Sequence, residues 1–201
     1  MARAACLLLA AARIGGWVAE KFSRCDTPGA DGRDAIEACK AACGMCAYPR
    51  GEKGDVLWRD GSGSFALVAK RAPVGVVGHM MLVTARHVLN AASFDDVEAA
   101  ALGPALRTAS QAIVEATGAE RIYTAALGSP KAPHFHAHLV PVYGAGNGAD
   151  ALGTPAEQVH GTPFDVFSQE HLAKTDPDTH AADADKHAEA ARRVMTLLAR
   201  R

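Results

Sequence analysis

The chain has 201 residues, of which 49% are hydrophobic and 21% are charged, and its formal net charge is −1. This composition is typical of a soluble globular protein of about one domain with a sizeable core. The near-neutral charge argues against a nucleic-acid partner held by bulk electrostatics. Because no apolar run reaches the ~18 residues of a membrane-spanning helix, we expect no transmembrane span.

Residues 1–38 are interpreted as an N-terminal extension. Arg3 precedes the apolar run Ala4–Ala12, Arg13 follows it, and no acidic residue occurs before Glu20. This pattern fits a secretory or basic organellar targeting segment, and it also fits an amphipathic or frayed helix outside the core. We expect a cytoplasmic protein, with secretory or organellar targeting as the alternative.

The cysteines are confined to the first quarter of the chain, which argues against a disulfide framework across a domain. They are Cys6, Cys25, Cys39, Cys43 and Cys46. Cys43 and Cys46 form a C-x-x-C knuckle, a spacing at which two thiolates can bind one tetrahedral zinc, so two further ligands must come from elsewhere. The alternatives are two reduced, partly buried thiols or a redox dithiol, and the dithiol is less favoured because no βαβ unit surrounds the knuckle.

The middle of the chain predicts a series of strands connected largely by hairpins. The predicted strands cover residues 55–60, 64–70, 76–84, 121–127 and 134–142, and Gly61-Ser62-Gly63 supplies a turn between the first two. One helix interrupts them, with Ser93 as its predicted N-cap, Pro104 as a predicted bend and Gly118 as its end. One helix within a run of strands indicates an α+β fold with a mostly antiparallel sheet of about five strands.

Three histidines alternate with apolar residues in the last predicted strand: His134, His136 and His138. Successive strand side chains point to opposite faces, so the three rings share one face and lie roughly 6.5–7 Å apart. One imidazole could attack phosphorus while its neighbours fix its tautomer and bind phosphate oxygens. The alternatives are one metal held by all three rings or a polar surface strand.

After Tyr143 the chain reads as a linker and a C-terminal helical extension, residues 144–201. The segment 144–150 is glycine-rich, and residues 182–200 predict a helix with a small apolar face of Val194, Leu197 and Leu198. That face is expected to pack against the domain or against a partner. The scattered histidines are interpreted as solvated surface; they are His160, His171, His180 and His187.

Four segments, in the right order between residues 43 and 143, resemble the histidine triad (HIT) family of nucleotide hydrolases and transferases. The histidine row of residues 134–141 is similar to the family signature, and residues 78–88 are similar to its Gly-His-hydrophobic-strand-Lys/Arg-His-Val segment. Residues 99–104 resemble its long helix, and residues 123–128 resemble the strand and loop before the triad. The resemblance implies a HIT-like catalytic domain over residues 39–143.

The resemblance also implies a structural zinc. Zinc-bearing members, and the related hexose-phosphate uridylyltransferases, join a C-x-x-C knuckle to a distant histidine and to the first triad histidine. The implied ligands here are Cys43, Cys46, His87 and His134. The competing ligands are His79, Cys39 and His138.

The implied activity is that of a nucleotide phosphohydrolase or nucleotidyl transferase, of the nucleoside phosphoramidate or dinucleoside polyphosphate type. His136 would attack the α-phosphorus to give a nucleotidyl-histidine, and His138 would bind a non-bridging oxygen. His134 would bind phosphate or zinc, but not both. The alternative is a non-catalytic nucleotide- or zinc-binding HIT-like module that acts through a partner.

The resemblance extends to substrate binding and assembly, with two departures. Ser129 and Lys131, in the loop before the triad, are expected to contact substrate, but Lys131 stands where members of the nucleotide-binding branch have a hydroxyl residue. Arg71 stands where many members have an acidic ribose ligand. Family members commonly form homodimers, so a homodimer is expected.

Overall fold

The computed structural model describes residues 43–70, 76–127, 134–143 and 177–201. The expectations for the N-terminal extension, for Arg71, for Ser129 and Lys131 and for the linker after Tyr143 therefore lie outside the described residues, as does Cys39. The start of the predicted domain at residue 39 stays a prediction for the same reason.

Within the described residues, five strands and two long helices follow one another. The strands are β1 (Gly54–Arg59), β2 (Phe65–Lys70), β3 (Met80–Thr84), β4 (Arg121–Ala125) and β5 (His136–Val142). Helix α1 (Asp96–Thr117) lies between β3 and β4, and helix α2 (Pro177–Leu198) follows β5 in sequence. A short 3₁₀ turn, Ala91–Ser93, precedes α1.

The strands form one antiparallel sheet in the order β1-β2-β3-β5-β4. The predicted α+β class, with a mostly antiparallel sheet of about five strands, is confirmed. Although β5 is the last of the described strands in sequence, it lies inside the sheet, between β3 and β4. The histidine row is therefore carried by an interior strand and not by an edge.

Helix α1 begins at a different cap from the one predicted. Ser93 belongs to the preceding 3₁₀ turn, and the N-cap is Asp95, whose side chain accepts a hydrogen bond from the Glu98 N–H at 2.8 Å. The Glu98 carboxylate accepts from the Asp95 N–H at 3.1 Å, which completes a capping box. The helix continues through Pro104 and ends at Gly118, which has a φ of 71° as expected for a left-handed C-cap.

Strand β3 begins four residues later than predicted, because residues 76–79 form a turn. The His79 N–H donates to the Val76 carbonyl at 3.1 Å, and Gly78 has a φ of 80°. A positive φ at the third position of a turn is the type II geometry, which favours glycine. A Cβ at Gly78 would also lie 2.9 Å from Cγ2 of Thr117, so both backbone conformation and space require glycine.

The main core lies between one face of the sheet and the two helices. It contains Leu57, Phe65, Leu67, Met80, Leu82 and Leu139 from the strands and Ala109, Ile113, Val194 and Leu198 from the helices. Burial of Val194 and Leu198 contributes roughly 1.5–3 kcal/mol each to docking of α2. Of the two expected roles for the apolar face of this helix, packing against the domain is the one observed.

The opposite face of the sheet carries a second, smaller core. Ala66, Val68, Met81 and Val83 pack there against the segment that contains Cys43, Met45 and Cys46. Because Val83 is paired with His136 and Met81 with His138, these two imidazoles share this face with the cysteines. Among the residues that the structure describes, no helix combines the length and apolar character needed to cross a bilayer.

Candidate active site and metal centre

The three histidines of the row are buried, so a solvated polar strand is not what the structure shows. His134 is 2% exposed, His136 6% and His138 8%. The predicted alternation is confirmed, since Ala137 and Leu139 face the main core and Phe135 packs against it. The row divides into two groups, because His134 precedes β5 and turns toward the cysteines while His136 and His138 remain on the strand.

The first group brings together the four residues that the sequence suggested as metal ligands. Cys43, Cys46, His87 and His134 are all buried, and one potential ligand atom from each lies within 4.8 Å of the others. Nδ1 of His134 lies 3.7 Å from Sγ of Cys43 and 3.3 Å from Sγ of Cys46. Nδ1 of His87 lies 3.3 Å from Sγ of Cys46.

These distances fit a tetrahedral metal. Bonds of about 2.3 Å to sulfur and about 2.0–2.1 Å to nitrogen place the two donors roughly 3.5 Å apart at the tetrahedral angle. The donor set of two thiols and two imidazoles is one of those that structural zinc prefers. The competing ligands His79 and His138 contact each other elsewhere, with 2.9 Å between ring nitrogens.

The environment of the knuckle also favours the thiolate form that a metal requires. The Cys46 side chain is the largest influence that lowers the pKa of Cys43 below its ordinary value, and hydrogen bonds with His134 and His87 lower it further. Burial acts in the opposite direction but is outweighed. The site therefore favours a charged sulfur among imidazole donors.

Neighbouring residues orient both histidines of this group. Nε2 of His134 lies 2.9 Å from the carbonyl oxygen of Thr84 and 2.9 Å from its Oγ1. Arg86, next to His87, donates to the buried carboxylate of Glu98 from Nε at 3.0 Å and from Nη2 at 2.6 Å. Glu98, which completes the capping box of α1, thus also fixes the segment that carries His87. Residue types alone gave no signal for Thr84 or for the Arg86–Glu98 pair.

The second group centres on His136. Its Nδ1–H donates to the carbonyl oxygen of His134 at 2.8 Å, which places the lone pair of the ring on Nε2. The His136 ring meets the ring of His138 edge-on, with 4.8 Å between centroids. His138 Nδ1 in turn lies 2.9 Å from Nε2 of His79. An imidazole with a fixed tautomer beside a second imidazole can act as nucleophile, with its neighbour as a donor to an oxyanion.

A cavity of about 270 Å³ adjoins this group. It is lined by Leu89, Asn90, Ala126, His134, Phe135 and His136. A larger groove of about 600 Å³ lies between β1 and α2, but its lining contains no histidine or cysteine. The chemistry of its lining makes the smaller cavity the better candidate for a substrate site.

One further histidine departs from the sequence interpretation. His187, expected on the solvated surface, is 2% exposed, and its Nδ1 accepts a hydrogen bond from the Gly78 N–H at 3.2 Å. A signal for this was present, because His187 shares a helical face with Ala191, Val194 and Leu198, at spacings of four, seven and eleven residues. His160 and His171 lie outside the described residues.

No protein-family profile and no curated protein sequence matches the chain. Several solved structures do match the chain. A hypothetical histidine triad nucleotide-binding protein from Sulfolobus tokodaii is 19% identical, with a TM-score of 0.49 over 77% of this chain and 93% of that chain. A zinc-bound histidine triad family protein from Mycobacterium smegmatis is 18% identical, with a TM-score of 0.45 over 76% and 96% of the two chains.

A uridylyltransferase mutant is also similar, with 13% identity and a TM-score of 0.48 over 81% of this chain and 53% of that chain. These structures carry the names of the families whose motifs the sequence resembles.

Proposed function

We propose that the chain is a nucleotide phosphohydrolase or nucleotidyl transferase of the histidine triad type, with His136 as the nucleophile. The observation that carries this proposal is the hydrogen bond from Nδ1 of His136 to the carbonyl of His134, at 2.8 Å. It leaves Nε2 as the basic nitrogen of a ring that lines a cavity. A neutral, oriented imidazole is what in-line attack on phosphorus requires.

In the first step, Nε2 of His136 attacks the α-phosphorus of a nucleotide substrate and the bond from phosphorus to the leaving group breaks. The leaving group departs with the bonding electrons and takes up a proton. In the second step, a water oxygen, or an acceptor hydroxyl or phosphate in a transferase, displaces the histidine. The nucleotide is released, and His136 regains its neutral form.

His138 is proposed to stabilise charge on a non-bridging oxygen during both steps. Its ring meets His136 edge-on, and its Nδ1 lies 2.9 Å from Nε2 of His79. If His79 donates to Nδ1 of His138, the proton of His138 is on Nε2, where it can be donated to an oxygen. Ser129 and Lys131 are proposed to contact the leaving group or the phosphate.

Cys43, Cys46, His87 and His134 are proposed to hold one structural zinc. All four coordination positions would be filled by protein, so the metal would connect the knuckle to the start of the catalytic strand and supply no open site. His134 is assigned to this role and not to phosphate, because its Nδ1 faces the thiols and its Nε2 contacts Thr84.

The decisive experiment uses the full chain with an adenosine phosphoramidate and with a dinucleoside polyphosphate. Release of the mononucleotide is expected from at least one of them, and intact-mass analysis of quenched samples should reveal a nucleotidyl adduct. His136→Asn, which keeps a polar group of similar reach, should abolish both signals. Tight nucleotide binding without turnover or adduct would instead favour the non-catalytic module.

A further inference from the structure

We propose that His187, on the C-terminal helix α2, is a positioning residue that fixes the turn from which His79 reaches the catalytic histidines. This inference deepens the proposed function and rests on it where catalysis is concerned. In this proposal α2 helps to position the catalytic histidines, although the helix begins 34 residues after Tyr143.

The central observation concerns one peptide unit, formed by the carbonyl of Val77 and the N–H of Gly78. The Gly78 N–H donates to Nδ1 of His187 at 3.2 Å. The Val77 carbonyl accepts from the hydroxyl of Tyr143 at 2.9 Å. Both polar groups of this peptide are therefore bonded to side chains, one from α2 and one from the residue that follows β5.

The orientation of this peptide matters because it is the middle peptide of the type II turn of residues 76–79. Type I and type II turns differ by a reversal of the middle peptide. A reversal here would point the carbonyl toward the acceptor His187 and the N–H toward the Tyr143 hydroxyl. Burial raises the pKa of Tyr143 to about 12, so the hydroxyl retains its proton as a donor.

The turn leads directly into the second histidine group. His79 follows Gly78, its Nε2 lies 2.9 Å from Nδ1 of His138, and the His138 ring meets that of His136 at 4.8 Å between centroids. A change in the turn would rotate His79 at its backbone, and the contact between the two ring nitrogens would lengthen. The tautomer and orientation of His138 therefore depend on a residue that touches no part of the proposed substrate cavity.

The packing around His187 supports a defined position for its ring. The residue is 2% exposed, and one turn further along α2 Ala190 packs against Val77. Val194 and Leu198, on the same helical face, are buried in the main core. Apolar contacts thus suffice to dock the helix against the domain. The hydrogen bond between His187 and Gly78 is a separate, polar contact.

The test compares two substitutions of nearly equal size in the full chain. His187→Asn keeps an acceptor, Oδ1, at the same number of bonds from the backbone as Nδ1, whereas His187→Leu has none. We expect His187→Leu to lower kcat about tenfold with little change in KM, since the buried Gly78 N–H loses its acceptor. The kcat of His187→Asn should stay within about twofold of the kcat of the wild-type chain. Val194→Ala is the control, because it loosens the helix without removing the bond, and it should lower Tm but not kcat.

A second readout does not require turnover. The ¹⁵N shifts of the His79 and His138 rings should change in His187→Leu and in Tyr143→Phe, which removes the bond on the other side of the same peptide. Hydrogen exchange at the Gly78 amide should become faster in His187→Leu. If His187→Leu does not fold, the same shifts are measured in Tyr143→Phe, where both rings should shift, and in His187→Asn, where they should not.

Unchanged ring shifts in folded His187→Leu or Tyr143→Phe, or equal behaviour of the Asn and Leu variants, would overturn the proposal. Absence of turnover on every nucleotide probe would remove the proposed function but would leave the ring shifts to decide the positioning role on their own.

Discussion

Nε2 of His134 lies 2.9 Å from the main-chain carbonyl oxygen of Thr84, a residue 50 positions earlier in the chain. Because the ring donates its proton there, the lone pair on Nδ1 is directed at the two thiols. Such an outer hydrogen bond fixes the tautomer of a metal-binding histidine and raises its basicity. We therefore infer that the first histidine of the row serves the metal and that phosphate is left to the other two.

We expect protein purified without added metal to contain about one zinc per chain, by analogy with other closed Cys₂His₂ sites. The double variant Cys43→Ser/Cys46→Ser should lose it and should unfold at a lower temperature, because metal binding contributes to folding. Elemental analysis and thermal unfolding measure these two effects. Full zinc occupancy in the double variant would show that the metal is bound elsewhere.

The zinc occupancy should depend on pH in one direction. The pKa of Cys43 is lower in the folded chain than its ordinary value of 9.0, chiefly through the Cys46 side chain. A lowered pKa stabilises the fold at high pH, and that contribution is lost as pH falls through the folded-state pKa. We expect constant occupancy from neutral pH upward and release of metal on acidification, measured with a chromogenic chelator. Release on raising the pH would contradict this.

Removal of Arg86, the cation that pairs with the buried Glu98 carboxylate, should destabilise the fold more than removal of Glu98 itself. Glu98 is 3% exposed and accepts from both Arg86 and Asp95. Arg86→Ala therefore leaves a buried carboxylate without its cation, with an expected loss of roughly 2–3 kcal/mol in the free energy of unfolding. Glu98→Ala is expected to cost less, roughly 1–2 kcal/mol, because the Arg86 and Asp95 side chains are about half exposed and water can replace the lost acceptor. Chemical denaturation tests this order, with Glu52→Ala at an exposed pair as the control that should change little.

Substitution of His136 should lower the stability of the fold, which substitution of an exposed histidine on a surface strand would not do. Since His136 is 6% exposed, His136→Ala leaves unfilled space and is expected to lower stability by about 1–3 kcal/mol. Activity should nevertheless fall far more than stability accounts for, and His136→Asn should be equally inactive with a smaller loss of Tm. Near-normal turnover in either folded variant would reject His136 as the nucleophile.

We expect a homodimer, because β1 and β4 are the edges of the described sheet and edge strands tend to be covered. Light scattering at micromolar concentration should give twice the chain mass of 20.9 kDa. A mass near that of one chain would refute this expectation.

Much of the fold was predictable from local patterns. The turn residues at 61–63, the alternation around His136 and the cap at Gly118 act on their immediate neighbours, and each gave the correct element. The N-cap of α1 was harder to predict, because Ser93 and Asp95 are both residue types that cap helices well. Only the reciprocal hydrogen bonds between Asp95 and Glu98 distinguish them.

The site was predictable from the sequence only where the residue type itself indicates a chemical role, as it does for cysteine and histidine ligands. Cysteines and histidines indicated the candidate metal centre from the sequence, and the structure brings the four suggested ligands together. Thr84 acts mainly through its main-chain carbonyl, which no residue type reveals. His187 depends on the docking of a helix far along the chain, so its contact with Gly78 is a property of the tertiary structure.

The position of β5 has a consequence for how the chain assembles during synthesis. The first three strands can form a meander as soon as they emerge, whereas β4 pairs in the described sheet with β5, which follows it in sequence. A nascent or truncated chain that ends before residue 136 has an exposed edge on β3 and an unpaired β4. Insertion of β5 covers the edge of β3, pairs β4 and brings the His134 ring to the cysteines, 91 positions away from Cys43, in a single event. We expect folding of the sheet and formation of the metal centre to occur together, late and cooperatively.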